Sequence, residues 1–508
     1  MGDDGRPYGA APVAAYSSPT LTLDVTMRTI RWLAVRAGRL GATAFLVVGC
    51  ADRDPVAPSR PADAPPSFRA SHPDQGARAH RARHVVTLAG GERSDFERKI
   101  QALGGQVERR HPEIGVVTIR GLSAGAVRAL AARADVASVQ SDTVLQWIPR
   151  PDLMFRQPRN GPAAFGAPQG TNESFAFFFP DQWNMLVIQA PAAWTATPAG
   201  NGRLVCVLDT GIDPDHVDLA GRVDLARSAS FVEAEPTIQD FNTHGTFVAS
   251  IVSTNGLGIA SVATDARLCA IKVLDATGSG SFADVIAGML FAAGEGADAI
   301  NLSLGAYVDL KERGVRQLVQ ALQRAVDFAR RKGVVVVAAA GNDTINLDRD
   351  SHSRLLIPAQ LHHVVSVGAT APFNQQNFDM LASYSNFGGR TGITLVAPGG
   401  DFLEGGSAFD LVLGACSHTQ VSLPFTCTTR DFLLGAGTSF AAPHVAGAAA
   451  VVASQLGRKA RADRVTDCIL RGADDVGPKA IFGAGRLNVA NAAACSKPRG
   501  SRPLAAAN

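Results

Sequence analysis

The chain has 508 residues, which exceeds one typical domain, so we expect a main domain with accessory segments. Its formal net charge at pH 7 is only +3 and it has no dense block of lysine and arginine, which argues against a nucleic-acid partner. Aromatic residues make up 6% of the chain and glycine is abundant at 51 residues, a balance that suits closely packed helices on a sheet.

The first fifty residues carry the features of an export signal. Four arginines precede an apolar run at residues 40–49 that stops at Cys50: Arg28, Arg31, Arg36 and Arg39. This layout predicts a secretory signal peptide over residues 27–50, too short to span a membrane as an ordinary transmembrane helix. Its end, Val47-Val48-Gly49-Cys50, resembles a bacterial lipobox, in which the cysteine is lipidated; the alternative is an ordinary signal peptide with an incidental cysteine. We expect a protein exported from a bacterial cell, either secreted or periplasmic, or attached to a membrane by lipid alone.

Two segments flank this signal. Residues 1–26 are interpreted as an over-extended start, with Met27 as the more sensible initiator. Residues 51–83 are rich in proline, alanine, aspartate and arginine without apolar periodicity, which predicts a flexible tether.

Residues 84–148 predict a small α+β domain. A strand at 84–88 leads to a helix at 94–103, where Ser94 followed by Glu97 is typical of a capping box. A strand at 116–119, a helix at 122–134 capped by Ser123, and a closing strand at 136–139 follow, and we interpret the order as β-α-β-β-α-β. Residues 149–182, rich in proline, glycine, asparagine and phenylalanine, predict an extended linker.

Apolar strands alternate with helices through the predicted main domain, residues 183–497, which a short tail at 498–508 follows. We predict strands at 203–208, 267–273, 299–302, 334–339, 364–367 and 393–397, and helices that include 282–293 and 318–331. Near-continuous apolar strands alternating with helices predict an α/β fold of three layers, with a mostly parallel, buried central sheet. Ligands of such sheets bind at the carboxyl ends of the strands.

A candidate nucleophile, Ser439, lies among small residues at 437–444 that would let a helix start beneath an exposed hydroxyl. A serine nucleophile needs a histidine base and a carboxylate that orients the base. Asp209 ends a predicted buried strand, and His244 directly precedes a helix-like run at 247–252. Asn342 follows another buried strand, and its amide with the Ser439 N–H would hold a developing oxyanion.

Taken singly, Asp-Thr-Gly is typical of a turn, His-Gly of a loop and Gly-Thr-Ser of a helix cap. Their joint occurrence in this order resembles the subtilisin-like serine proteases, the subtilases, over roughly residues 183–494. The resemblance implies an Asp209–His244–Ser439 triad, an oxyanion donor in Asn342, an acyl-enzyme and no cofactor for catalysis. It also implies a protein or peptide substrate, and we expect a monomer.

Further stretches resemble the substrate-binding edges of this family. Gly278-Ser279-Gly280 and Ser303-Leu304-Gly305 would hold an extended peptide between them by main-chain hydrogen bonds; plain turns are the alternative. Ala340 and Gly341 would wall the pocket for the residue before the scissile bond, where small residues suggest room for a large side chain. Asp343 would favour a basic group there if it points inward.

The domain at 84–148 resembles the inhibitor-type propeptide that chaperones subtilases and then sits across the active site; a small adhesion domain is the alternative. We therefore expect an exported endopeptidase that processes its own precursor within residues 149–182. A proline is a poor first residue after the cut, which disfavours the bonds before Pro149 and Pro151. A dedicated processing protease with one substrate, and an inactive peptide-binding relative, are the other functions consistent with the sequence.

Two positions depart from the family pattern. Phe247 stands where a second, non-catalytic histidine is usual, so we expect altered packing without loss of activity. Asp218 matches a calcium ligand of the family, but the loop at 254–258 is shorter than the one that supplies the remaining ligands. Asp218 is therefore interpreted either as a ligand of a structural calcium ion or as a carboxylate that stabilises a turn or caps a helix.

Seven cysteines fit an exported chain, and six remain if Cys50 carries lipid. Cys416 and Cys427 lie close together in an insertion before the nucleophile, and we predict that they pair. Cys468 and Cys495 are the next predicted pair. Cys206 and Cys269 lie within apolar strands, where we expect buried unpaired thiols.

Overall fold

A computed structural model describes residues 78–90, 95–148, 153–156, 176–196, 199–350, 353–457 and 460–495. The predicted signal peptide, Cys50 and most of the predicted tether lie outside these residues. A strand begins at Arg78, inside the range 51–83 predicted as a tether. No helix in the described part of the chain combines the length and the hydropathy that a membrane span requires.

The N-terminal part is a small α+β domain with the expected order of elements. These are β1 (Arg78–Leu88), α1 (Phe96–Ala102), β2 (Gln106–His111), β3 (Val116–Arg120), α2 (Ala124–Ala131) and β4 (Val136–Gln146). Its antiparallel sheet has the strand order β2-β3-β1-β4, and both helices pack on it through Phe96, Ile100 and Leu130. The Ser123 hydroxyl accepts the N–H of Ala126 at 3.2 Å, as predicted for a cap. Ser94, the other predicted cap, lies outside the described residues, and α1 begins after Asp95.

The larger domain is built on a central sheet whose core strands are parallel. Its strands are β6 (Leu204–Asp209), β7 (Ala229–Ser230), β8 (Arg267–Lys272), β10 (Ala299–Leu302), β12 (Val335–Ala339), β14 (Val364–Phe373), β15 (Gln376–Leu381) and β16 (Leu395–Pro398). The order is β15-β14-β12-β10-β6-β8-β7, with β16 parallel to β14 and β15 the antiparallel edge.

Helices cover both faces of this sheet. They are α3 (Trp183–Val187), α4 (Ala190–Ala196), α5 (His244–Val252), α6 (Phe282–Gly294), α7 (Val315–Arg331), α8 (Leu347–Asp350), α9 (Thr438–Leu456), α10 (Ala462–Gly472), α11 (Lys479–Phe482) and α12 (Val489–Ala494). In β6, Val205 and Val207 enter one core while Cys206 and Leu208 enter the other, since successive strand residues point to opposite faces. The predicted three-layer α/β fold is confirmed.

Three smaller pairings complete the fold. β11 (Ala306–Asp309) pairs with β13 (Arg354–Ile357), and β9 (Ser279–Ser281) extends the N-terminal sheet beside β4. β17 (Val412–Ala415), β18 (Phe432–Ala436) and β5 (Leu153–Arg156) form an antiparallel sheet of three strands.

Most predicted elements differ from the observed ones by one to three residues at an end. The strand predicted at 364–367 is longer, because it continues to Phe373 and turns back as β15. The helix predicted at 318–331 starts three residues earlier, at Val315. α9 is buried on all sides from Thr438 to Ala453, as expected for a helix that is apolar all round.

Three disulfides join the six described cysteines. The pairs Cys416–Cys427 and Cys468–Cys495, with Cα atoms 6.1 and 5.4 Å apart, are those we predicted. The expectation of free thiols at Cys206 and Cys269 is wrong, because these residues are also bonded, with Cα atoms 4.5 Å apart. The parallel register of β6 and β8 places them directly opposite each other.

Candidate active site

Asp209 and His244 meet at the carboxyl edge of the central sheet. Asp209 is the last residue of β6 and His244 is the first residue of α5. Nδ1 of His244 lies 2.8 Å from Oδ1 of Asp209, and both side chains are fully buried. A carboxylate accepts hydrogen bonds, so Nδ1 carries the proton in this contact and Nε2 is the basic nitrogen. The helix can start so close to the strand because residue 245 is glycine; a Cβ there would lie 2.1 Å from the Gly211 carbonyl oxygen.

Asp240, which our sequence analysis did not single out, fixes the approach to His244. It is fully buried, and its Oδ1 accepts the N–H groups of Asn242 and Thr243, both at 2.9 Å. Its Oδ2 accepts the N–H and the hydroxyl of Thr246 at 2.8 and 2.6 Å. An aspartate placed shortly before a helix start is a capping signal that could have identified it.

The disulfide-closed insertion braces the same loop. The N–H of Ser417 donates to the Thr243 hydroxyl at 2.8 Å, and the Ser417 hydroxyl donates to the Asp240 carbonyl at 2.6 Å. The N–H of Val421 donates to the carbonyl of Phe241 at 2.9 Å. The segment between Cys416 and Cys427 therefore supports the chain that leads into His244.

Ser439 lies in the first turn of α9. It is 5% exposed, and its hydroxyl donates to the main-chain carbonyl of Ser303 at 3.3 Å. The Ser303 hydroxyl in turn donates to the Ser439 carbonyl at 2.5 Å. The ring of Phe440, the next residue, lies 5.9 Å from the His244 ring between centroids. Ser439 thus lies beside the end of β10, the neighbour of the strand that ends in Asp209, and directly precedes a ring that faces His244.

Asn342 is held by the residue before the nucleophile. Its Oδ1 accepts the N–H and the hydroxyl of Thr438 at 2.9 and 2.7 Å. The Thr438 hydroxyl also accepts the N–H of Gly341 at 3.0 Å. Because Thr438 occupies the oxygen side of the amide, Nδ2 is the end that can donate to a substrate oxyanion. Thr438, which lies within the stretch 437–444, thus fixes the orientation of the Asn342 amide.

The predicted substrate edges hold a segment of the N-terminal domain. β4 pairs with β9 so that Leu145 lies opposite Gly280 and Gln146 opposite Ser279. The N–H groups of Trp147 and Ile148 donate to the Gly278 carbonyl at 3.1 and 3.3 Å.

On the facing edge, the N–H of Gly305 donates to the Trp147 carbonyl at 2.9 Å, next to Ser303 and the buried Leu304. Residues 144–148 therefore lie between the two predicted edges in an extended form.

The same chain reappears on the other side of the nucleophile. β5 pairs antiparallel with β18, with Leu153 opposite Ala436 and Arg156 opposite Leu433. β18 ends at Ala436, three residues before Ser439. Residues 149–152, which connect the two bound segments, lie outside the described residues.

Charged side chains join the N-terminal domain to the start of α6. Arg83, 1% exposed, donates to Asp142 Oδ2 at 2.6 Å in its own domain and to Asp284 Oδ2 at 2.7 Å on α6. Arg109 donates to the second oxygen of Asp284 at 2.7 Å. Asp142 also accepts the N–H of Ala283 at 3.0 Å, and burial raises the pKa of its carboxyl. Two arginines of one domain thus neutralise one carboxylate of the other.

Asp218, the candidate calcium ligand, accepts hydrogen bonds from main-chain N–H groups on both oxygens. Oδ1 accepts from Leu257 and Gly258 at 2.8 and 3.1 Å, and Oδ2 from Gly258 and Ile259 at 3.0 and 2.9 Å. Calcium requires a shell of oxygen ligands, whereas this carboxylate is lined by hydrogen donors, so these residues do not fit the ion. Burial raises the pKa of Asp218 to about 6.

Phe247 packs where the family pattern has histidine. Its ring lies 4.1 Å from that of Phe440 between centroids. A Cβ atom on Gly414 would come within 2.4 Å of the Phe247 ring, so this glycine makes room for it.

Comparisons with known proteins identify a family and several similar chains. A model of the Subtilase family matches residues 200–485. A thermophilic serine proteinase from Bacillus sp. (strain AK1) is 36% identical over 304 residues, which cover 59% of this chain and 64% of that protein. Subtilisin Savinase from Lederbergia lenta is 34% identical over 308 residues, which cover 60% of this chain and 96% of the relative.

Two solved structures are similar in fold. The epidermin leader peptide processing serine protease (EpiP) from Staphylococcus aureus matches with a TM-score of 0.66 at 23% identity, over 83% of this chain and 99% of that one. A structure described as a lanthipeptide protease matches with a TM-score of 0.55 at 27% identity, over 64% of this chain and 97% of that one.

Proposed function

This chain belongs to the subtilase family of serine proteases, and we propose that it is an exported endopeptidase that cleaves itself from a precursor inhibited by its N-terminal domain. The geometry of Asp209, His244 and Ser439 supports the catalytic part of this proposal. The extended segment at 144–148 between the substrate edges supports the precursor part.

The proposed reaction is acyl transfer. The Ser439 hydroxyl turns from the Ser303 carbonyl towards Nε2 of His244, which takes its proton as the oxygen attacks the scissile carbonyl. Asp209 holds the proton on Nδ1 and stabilises the imidazolium that forms. Nδ2 of Asn342 and the N–H of Ser439 stabilise the oxyanion, and loss of one such donor costs about 3–4 kcal/mol in comparable sites.

The remaining steps use the same groups in reverse. The imidazolium gives its proton to the leaving amine, so the peptide bond breaks and an ester to Ser439 remains. Water then enters and loses a proton to His244 as it attacks the ester carbonyl, and His244 returns that proton to the Ser439 oxygen as the acid product leaves. Protein groups supply every proton transfer in this scheme.

The location of the self-cleavage site follows from the two bound segments. Residues 144–148 lie along the edges that precede the nucleophile and β5 lies beside the strand that leads into it, so the scissile bond falls within or next to residues 149–152. Pro149 and Pro151 disfavour the two bonds that precede them. The bonds after Pro149, Pro151 and Asp152 remain.

A dedicated processing protease is the second candidate. The likeness to a structure described as a lanthipeptide protease, at 27% identity over 97% of that chain, is the observation that supports this candidate. Cleavage of a randomised peptide library would separate the candidates, because a broad endopeptidase cuts many sequences and a processing enzyme cuts few. Export, and lipid on Cys50, rest on sequence features outside the described residues and remain part of the proposal.

Intact mass and N-terminal sequencing of wild-type and Ser439→Ala protein, both expressed with the export signal, would test the function. We expect wild type to be cut within or next to residues 149–152, so that the chain before the cut is released, and we expect Ser439→Ala to stay uncut. Labelling by a serine-directed fluorophosphonate should occur in wild type alone. Ser439 would be excluded as the nucleophile if purified Ser439→Ala protein cut itself as wild type does. It would also be excluded if the fluorophosphonate did not label wild type.

A further inference from the structure

We propose that Leu356 fills the pocket for the side chain before the scissile bond, so that this enzyme cleaves after small residues. The inference rests on the proposed protease function and specifies its substrate class. The sequence alone suggests room for a large side chain in this pocket, because Ala340 and Gly341 are small.

The pocket has two walls formed by neighbouring strand ends. One wall is the segment 303–305 after β10, and the other is the segment 340–341 after β12. A Cβ atom placed on Gly305 would lie 3.3 Å from Cδ1 of Leu356, and one placed on Gly341 would lie 3.0 Å from its Cδ2. The two methyl groups of a single leucine therefore reach both walls and occupy the space between them.

The backbone around Leu356 keeps the side chain in place. Its N–H donates to Oε1 of Gln360 at 2.9 Å, and its carbonyl accepts the N–H of Gln360 at 3.0 Å. β13 pairs with β11 so that Leu356 lies opposite Tyr307. Leu356 is 2% exposed, and such close-packed positions move only at a cost.

Polar groups close the space behind this leucine. Nδ2 of Asn386 donates to the Tyr307 hydroxyl at 2.8 Å and to the Ala340 carbonyl at 2.7 Å. Burial, and then the charge of Asp343, raise the pKa of Tyr307, so its hydroxyl keeps its proton. A Cβ atom placed on Gly341 would meet Nδ2 of Asn386 at 2.5 Å as well as Cδ2 of Leu356 at 3.0 Å, so the leucine packs beside this network and a large substrate side chain meets a packed wall.

The chain's own cleavage region agrees with a small-residue preference. Among residues 149–152 the one large side chain is Arg150, and Pro151 already disfavours the bond after it. We therefore expect the N-terminus of the processed protein to be residue 150, 152 or 153. A mature chain that begins at Pro151 would contradict both arguments.

Kinetics on matched peptides that differ only in the residue before the cut, either alanine or phenylalanine, would test the pocket. Processed wild type should show a kcat/KM for alanine that is higher by at least about 10-fold, because a single methylene in a hydrophobic pocket already discriminates by about 10–200-fold. Leu356→Gly should lose most of this preference by gaining activity on phenylalanine. Leu355→Ala, on the same strand beside it, is the control and should keep the preference.

Each outcome separates the pocket from the protease function. Wild type that is labelled by the fluorophosphonate but cleaves after phenylalanine as readily as after alanine would overturn the inference alone. Wild type that is neither labelled nor active would overturn the function itself. If Leu356→Gly does not fold, as judged by loss of its melting transition, Leu356→Ala and Leu356→Val replace it, and the phenylalanine rate should rise as the side chain becomes smaller.

Discussion

Removing the charge of Asp284 would test whether buried ion pairs hold the N-terminal domain on the catalytic domain. Asp284→Asn keeps the shape of the side chain but weakens its hydrogen bonds to Arg83 and Arg109. Hydrogen bonds to charged groups contribute about 1.5–3 kcal/mol each, and breaking a buried pair costs about 3–5 kcal/mol. Arg83 keeps Asp142 as a partner and Arg109 is 26% exposed, so we expect a value near the lower end, about 3 kcal/mol.

A loss of about 3 kcal/mol corresponds to an affinity for the cleaved N-terminal domain that is weaker by a factor on the order of 100. The assay is hydrolysis of a fluorogenic peptide by the processed full-length product at a series of dilutions. If the N-terminal domain inhibits as proposed, the dilution at which half the activity appears reports its dissociation. Asp284→Asn should reach this point at a concentration on the order of 100 times higher than wild type.

Glu233→Gln is the matched control, because Glu233 also pairs with an arginine of the N-terminal domain but is 66% exposed. Exposed pairs contribute little, so its half-activity concentration should shift by less than about fivefold. Titration with a fluorophosphonate would verify that all proteins contain the same fraction of active sites. Equal shifts for Asp284→Asn and Glu233→Gln, or no shift for Asp284→Asn, would refute the role of the buried cluster.

Three further changes test other parts of the structure. Burial raises the pKa of Asp218 in the folded protein to about 6, against an ordinary value of 3.8, so the free energy of unfolding should fall by about 3 kcal/mol as the pH rises from about 4 to 6 and stay constant above pH 6. Denaturant titrations of Asp218→Asn should lack this pH dependence. A calcium chelator should leave the stability of wild type unchanged. Replacing Cys206 and Cys269 together by alanine should lower stability by about 2–4 kcal/mol, whereas an unchanged melting temperature would refute their pairing. Gly414→Ala should cost about 1–3 kcal/mol by overpacking against Phe247, and Phe247→Leu should recover part of this loss in the double variant.

The sequence predicts those features that depend on one stretch of chain at a time. Val205 and Val207 alternate with Cys206 and Leu208, and all are apolar, so a strand buried on both faces could be expected. Asp209 and Asn342 follow such strands directly, and the edge they share follows from parallel pairing. The structure therefore places both residues where the sequence predicts them, at or just after the end of a buried strand.

Features that depend on register between distant stretches could not be predicted in this way. Cys206 and Cys269 are each typical of a buried strand, and only the pairing of β6 with β8 brings them together. Leu356 lies on β13, about fifty residues after Gly305, and the residues around it in the sequence do not indicate that its side chain reaches that glycine. Residues 78–83 are polar and resemble a tether, yet the strand that contains them pairs with β4.

Because β5 is hydrogen-bonded to the strand that leads into Ser439, cutting within residues 149–152 would leave a new chain end anchored beside the nucleophile. This end stays covalently joined to the catalytic domain, so its effective concentration at the cleft is high and does not fall on dilution. In the proposed mechanism, substrate residues that follow the cut would compete with this end for the space beside Ser439. After the cut, peptide hydrolysis should therefore reach its full rate only after a delay, and part of this delay should have the same length at every enzyme concentration. If one molecule cuts another instead, the delay should become shorter as the enzyme concentration rises.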